Sequence, residues 1–197
     1  MSKTRLEAFS DGVIAILITI MVLEFKVPHE TDWSGLLPLL PTAISYVLSF
    51  VMLGIYWNNH HHMIHSATSV SGRVLWANLH LLFWLSLVPF VTAWVGEHDF
   101  AQIPVIAQGF VMEMAAVAYY QLAHALVAHH GRESEFARAL GRDFKGVLSA
   151  ILYPVGIALT FLHPWFGFAT YVAVAVIWFV PDRRFEKAAA EAGVPTE

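Results

Sequence analysis

Six long apolar stretches, separated by short polar ones, run along this chain. A helix needs about 20 apolar residues to cross a bilayer. The pattern therefore predicts membrane-spanning helices over about 5–26, 36–63, 74–95, 104–128, 145–162 and 165–180. Prolines punctuate the series. Pro38 and Pro41 fall near the head of the second stretch, Pro104 suits the first helical turn of the fourth, and a short His163-Pro164 turn precedes the sixth. Pro89, inside the third, predicts a kink. No long linker interrupts the pattern, so residues 1–197 read as one all-α membrane domain, ending in a short tail over 182–197 that is partly helical and then frayed.

Composition agrees with this class: 57% of residues are hydrophobic, 13% are charged, and the mean hydropathy is +0.59. The chain contains no Cys, which excludes disulfides, thiolate metal sites and cysteine nucleophiles. A net charge of −4 offers no basic surface for nucleic acid. The charged N-terminus is followed by a long apolar run that ends at Glu24 without a small-residue cleavage site, so it reads as a retained span rather than a signal peptide.

Charge also sets an orientation. With both termini cytoplasmic, Lys3, Arg5, Arg73, Arg132, Arg138, Arg142, Lys145, Arg183, Arg184 and Lys187 lie inside and only Lys26 lies outside. The tail is then cytoplasmic. Glu24, Glu30, Asp32, Glu97 and Asp99 fall outside, and Trp33, Trp94 and Trp165 lie near the outer interface. An acidic outer face concentrates cations modestly, and it is also what remains when basic residues are kept inside.

The first stretch divides into a polar foot (Arg5, Glu7, Ser10, Asp11) and an apolar shaft. At roughly 100° per residue, Phe9, Gly12, Ile16, Thr19, Ile20 and Leu23 share one stripe, while Glu7 and Asp11 point roughly the other way. Such a stripe suits a helix contact, a lipid face or the wall of a pathway, and apolarity alone does not choose among them.

The residues of this stretch carry a resemblance. Arg5-x-x-x-Phe9-Ser10-Asp11, continuing through Gly12-Val13-Ile14-Ala15-Ile16 to Thr19-Ile20 and Leu23-Glu24, resembles the signature of the transmembrane-protein-175 family, the endosomal and lysosomal potassium channels and their prokaryotic homologues. The resemblance implies six transmembrane helices per subunit with both termini cytoplasmic, in a bacterial-type inner (plasma) membrane. This chain has the length of a single six-helix repeat, which in the family implies a homotetramer whose pore is lined by the first helix. It further implies a potassium-permeable monovalent cation channel, modestly selective for potassium over sodium.

No TVGYG string occurs here. By position after the Phe-Ser-Asp motif, Ile16 corresponds to the family's principal apolar constriction, with Ile20 and Leu23 as further layers. Rings of such side chains close a pore by dewetting, since they offer an ion nothing in exchange for its hydration water. Thr19 would add a ring of hydroxyls, unless its side chain bonds back to its own helix carbonyls. Asn59 and the His60, His61, His62 run resemble the family's polar cluster at this position, and hydrogen bonds from them to Ser10 and Asp11 would tie the first helix to the second. Arg5 and Asp11, near the inner boundary, each need a partner.

Other readings stay open. His61 and His65 have the i,i+4 spacing of a metal pair, although no carboxylate-rich motif accompanies them. Glu113, His80 and His124 are polar residues inside spans and read as interhelical hydrogen-bonding groups. Two alternatives use them differently: a haem-binding electron carrier ligated by His80 and His124, and a proton-coupled ion transporter with a Glu113–His124 relay. Gly-x-Ser-x-Gly, P-loop and Gly-x-Gly-x-x-Gly strings are absent, so no enzyme activity and no cofactor are expected.

Overall fold

The computed structural model describes residues 2–131, 134, 137 and 144–179. The basic residues Arg132, Arg138, Arg142, Arg183, Arg184 and Lys187, and the tail over 182–197, lie outside the described residues. Every regular element described is helical: α1 (Lys3–Ile20), α2 (Leu40–His65), α3 (Gly72–Ser86), α4 (Val88–Glu97), α5 (Gln102–His130), α6 (Phe144–Thr160) and α7 (Pro164–Phe179). Two 3₁₀ segments adjoin them, Met21–Glu24 after α1 and Trp33–Leu39 before α2. In hydrocarbon only a helix satisfies every backbone group within its own segment, which is why so apolar a chain folds this way.

Local signals set the ends. Ser2 caps α1 through the Arg5 amide, and Ser71 caps α3 through that of Val74. Pro41 and Pro164 occupy the first turns of α2 and α7, where a missing N–H is harmless. α5 ends at Gly131, whose φ of 93° suits a residue without Cβ and whose amide donates to the Val127 carbonyl. At the kink expected from Pro89 the hydrogen-bond ladder is interrupted at one residue: α3 stops at Ser86 and α4 starts at Val88, with Leu87 between them keeping helical dihedrals, because proline has no N–H to return to the preceding turn.

Among the described residues, four helical stretches are long and apolar enough to cross a membrane: Lys3–Glu24, Trp33–His65, Gly72–Glu97 and Gln102–His130. Two shorter apolar helices, Lys145–Thr160 and Pro164–Phe179, complete the bundle among the described residues. The chain is a multi-pass membrane protein.

α5 packs on α3, α4, α6 and α7, and α2 packs on α4 and α1. Its buried face, Ala115, Ala118, Leu122 and Leu126, repeats every three to four residues. A polar layer crosses the middle: Thr92 donates to Ser49 at 2.6 Å, Ser45 donates to the Thr92 carbonyl at 2.9 Å, and Gln108 donates to Ser49 at 3.4 Å. Between α4 and α5, Asp99 and Phe100 take positive φ values of 48° and 59°. That conformation is unfavourable for a bulky residue. The buried Phe100 ring lies 4.3 Å from Trp165 and 4.7 Å from Phe168, contacts that hold the turn in place.

α5, α6 and α7 approach closely through glycines, as small residues allow in membrane bundles. A Cβ on Gly167 would overlap the Thr160 hydroxyl and lie 2.8 Å from the Gly156 carbonyl oxygen, and one on Gly109 would overlap the Tyr171 hydroxyl. Gly54 has nothing within 4 Å of that position. Gly167→Ala is therefore expected to destabilise by about 1–3 kcal/mol through overpacking. Gly54→Ala is expected to be neutral or stabilising by up to about 1 kcal/mol through helix propensity. Thermal unfolding of the two purified variants in detergent checks the pair.

Candidate functional site

α1 has two unlike faces. Leu6, Ser10, Ile14, Leu17 and Met21 are buried against the rest of the chain. Phe9, Gly12, Ile16, Thr19, Ile20 and Leu23 are all exposed, Ile16 by 62% and Leu23 by 75%, so the whole stripe is left uncovered by the chain's own helices. The Thr19 hydroxyl lies 2.9 Å from the Ala15 carbonyl oxygen and 3.1 Å from that of Ile16. Its proton is thus used within the helix, and its oxygen keeps acceptor capacity toward the stripe.

The foot is fastened by a residue that the sequence did not single out. Ser10 Oγ donates to the Leu6 carbonyl at 2.9 Å and accepts from Asn78 Nδ2 at 2.9 Å. Asn78 Oδ1 is 2.7 Å from His60 Nε2. With the amide nitrogen committed to Ser10, Oδ1 must accept, so His60 Nε2 carries the proton. All three side chains are buried, which removes water as a competing partner. The bridge therefore runs from α1 through α3 to α2. The signal for Asn78 was available: it is an isolated amide in the apolar α3, and such a group must find a protein partner.

The other expected residues are placed as follows. Asp11 Oδ1 accepts from Trp57 Nε1 at 3.0 Å. Trp57 stacks on His61, and His61 on His65, with ring centroids 6.1 and 5.7 Å apart. The Asn59 amide turns back to its own Ile55 carbonyl at 2.8 Å, so it does not reach Ser10 or Asp11. His62 accepts from the Ser66 hydroxyl through its backbone carbonyl. Arg5 and Phe9 are exposed. Lys3 Nζ donates to the His65 carbonyl at 2.6 Å, a second link between the start of α1 and the end of α2. Just beyond α1, Lys26 pairs with Glu97 at 3.2 Å.

No group of three or more His, Asp or Glu among the described residues is placed to hold a metal ion. His80 accepts from Trp84 Nε1 at 2.9 Å through Nε2, leaving Nδ1 to donate to Gln121 Oε1 at 3.0 Å. With both nitrogens engaged, His80 has none to offer to iron. His124 is exposed, and its Nδ1 bonds the Tyr120 carbonyl of its own helix. Glu113 lies on that helix too, and eleven residues of α-helix separate the two by roughly 16 Å. A direct Glu113–His124 relay therefore does not form.

Comparison with known proteins bears on this arrangement. The family described as endosomal/lysosomal potassium channel TMEM175 matches residues 5–89, which include the α1 foot and stripe, His60 and Asn78. A potassium channel of Chryseobacterium sp. is 49% identical over 191 residues, 97% of this chain and 100% of that protein. A potassium channel of Chamaesiphon minutus is 31% identical over 186 residues, 87% of this chain and 91% of that one. The crystal structure of a lysosomal potassium-selective channel TMEM175 homolog from Chamaesiphon minutus superposes with a TM-score of 0.78 at 29% identity, covering 90% of this chain and 96% of that one. These relatives are ion channels and not enzymes. Near-complete coverage at such identity, joined to the match over the α1 motif, places this chain in the TMEM175 potassium channel family.

Proposed function

We propose that the protein is a potassium-permeable monovalent cation channel, modestly selective for potassium over sodium, assembled as a homotetramer of six-span subunits around their α1 helices. The observation that carries this reading is the uncovered apolar stripe on α1, set opposite a face that is hydrogen-bonded into the subunit. Four such stripes around an axis bury one another and enclose a path. Ile16, Ile20 and Leu23 then form stacked apolar rings that gate the path by dewetting and discriminate among ions by the ease of dehydration, with Thr19 oxygens between them. α6 and α7 supply the fifth and sixth spans; their 17 and 16 residues rise roughly 25 Å, close to the hydrocarbon thickness. Both termini and the 182–197 tail face the cytoplasm, in a bacterial-type inner membrane.

In this reading the foot is the fixed end of the pore helix. Ser10, Asn78 and His60, with Asp11 and Trp57, hold α1 in one rotation about its own axis, while Arg5, Asn59, His61 and His62 line the same end of the bundle. The occupied nitrogens of His80 count against a haem carrier. A proton-coupled transporter would show saturable flux without unitary conductance.

The test is potassium flux and single-channel current from purified protein in liposomes. Ile16→Asn is expected to raise potassium flux by about tenfold, the factor carried by roughly 1.4 kcal/mol of barrier, and to narrow the potassium-to-sodium ratio. Unchanged flux and ratio in an intact oligomer would remove Ile16 from the path. Asn78→Leu leaves Ser10 and His60 without their partner and is expected to destabilise by about 1–3 kcal/mol for each buried group left unpaired. Ser10→Ala, which strands only one amide hydrogen, should lower Tm less, and thermal melts of the two proteins compare them.

A further inference from the structure

Among the described residues, His60 Nδ1, Gln108 Oε1, Glu113 Oε2 and the Tyr153 hydroxyl are buried and meet no protein partner, and the buried Tyr171 hydroxyl has Thr160 as its polar neighbour. His60 belongs to the α1 foot. The other four lie on α5, α6 and α7. The Tyr171 hydroxyl lies against Gly109, which adjoins Gln108 and sits one turn before Glu113. The Tyr153 and Tyr171 rings are 5.9 Å apart, and Tyr56 and Tyr153 are both within electrostatic reach of the Glu113 carboxyl. Gln108, Tyr153 and Tyr171 are at most 2% exposed.

Native interiors leave few such atoms together, and ordered water is their usual partner. There is room for it. Tyr56 and Tyr153 line a cavity of about 360 Å³ between α2, α5, α6 and α7 that extends past Asn59, Tyr119 and Ser149 to Trp178, and on α5 it is lined by Ala116 and Val117, one turn beyond Glu113. Glu113 itself stands roughly 16 Å along α5, near the middle of a helix long enough to span the membrane.

A carboxyl at that depth needs a counter-charge or a proton. The groups within its electrostatic reach are Tyr56 from α2 and Tyr153 from α6, neither of them cationic, and the cation of α6, Lys145, lies over the Trp178 ring, eight residues before Tyr153. On α3, which packs on α5, His80 has both nitrogens engaged by Gln121 and Trp84. On α4, the one acidic residue is Glu97, at the C-terminal end and paired with Lys26.

We propose that Glu113 is a proton-binding site inside each subunit, one helical turn from the cavity between α2, α5, α6 and α7 and separate from the α1 stripe. Uptake balances simply: hydronium gives its proton to a Glu113 carboxylate oxygen and becomes water, and release is the reverse. The site does not depend on the pore reading, since no residue of the stripe takes part.

The test uses the full-length protein in liposomes and dicyclohexylcarbodiimide, an apolar reagent that adds to a protonated carboxyl. The acid proton moves to one carbodiimide nitrogen, the carboxyl oxygen bonds the central carbon, and rearrangement gives a stable N-acylurea found by peptide mass spectrometry. The expected result is an adduct on Glu113 that is lost as the pH of the medium is raised, is absent from Glu113→Gln, and has a shifted pH dependence in Tyr153→Phe. No adduct at Glu113 at any pH, or labelling that does not change with pH, overturns the proposal. Wild type alone decides that outcome, so misfolding of a variant cannot mask it. Channel current is not read, so failure of the pore reading would be separately visible.

Discussion

The arrangement of this bundle depends on one buried amide. Asn78 donates to Ser10 and accepts from His60, joining α1, α3 and α2 where no water can substitute. A helix in lipid has little hydrophobic reason to prefer one rotation over another, because acyl chains are as apolar as leucine. A single polar side chain breaks that degeneracy. Once Ser10 must face Asn78, the face bearing Leu6, Ile14 and Leu17 turns inward, and Phe9, Gly12, Ile16, Thr19 and Ile20 turn out. The Asp11–Trp57 bond adds a second constraint from the flank.

The same logic recurs deeper in the subunit with different chemistry. Ser45, Ser49, Thr92 and Gln108 stitch α2, α4 and α5 through hydroxyl and amide contacts. α5, α6 and α7 instead rely on glycines that bring backbones together and on tyrosines that fill the remaining space. The first layer fixes register by direction and the second by shape. Large apolar side chains fill what is left, and they tolerate exchange more readily than the polar or glycine positions do.

Much of this was legible in the sequence, for a physical reason. A membrane leaves a long apolar run only one way to satisfy its backbone, so helix positions follow from hydropathy, and the stripe on α1 follows from helical periodicity. The partners of the foot were harder to read. Asn59 is adjacent in sequence to His60, yet its amide closes on Ile55, and the bridging amide comes from α3 instead. Which of two neighbouring polar residues points inward depends on the crossing of three helices, and a one-dimensional pattern carries little of that. Pro89 was visible, but whether it bends α3 or ends it depends on packing of the flanking turns. Glu113 and His124 are both ionisable and lie in one span, and their separation along that helix keeps them apart.

The 3₁₀ turn Met21–Glu24 has a consequence for the far end of α1. In an α-helix, residues three apart are offset by roughly 60° around the axis, so Leu23 would drift sideways from Ile20. In 3₁₀ winding, residues three apart eclipse and each rises about 2.0 Å. The tighter coil therefore acts as a phase correction: it brings Leu23 toward the column of Ile20 and stretches the spacing between the two from about 4.5 Å toward 6 Å. The uncovered column thus runs straighter at its end than α-helical winding alone would allow, and its last two apolar tiers stand nearly a full side-chain width apart.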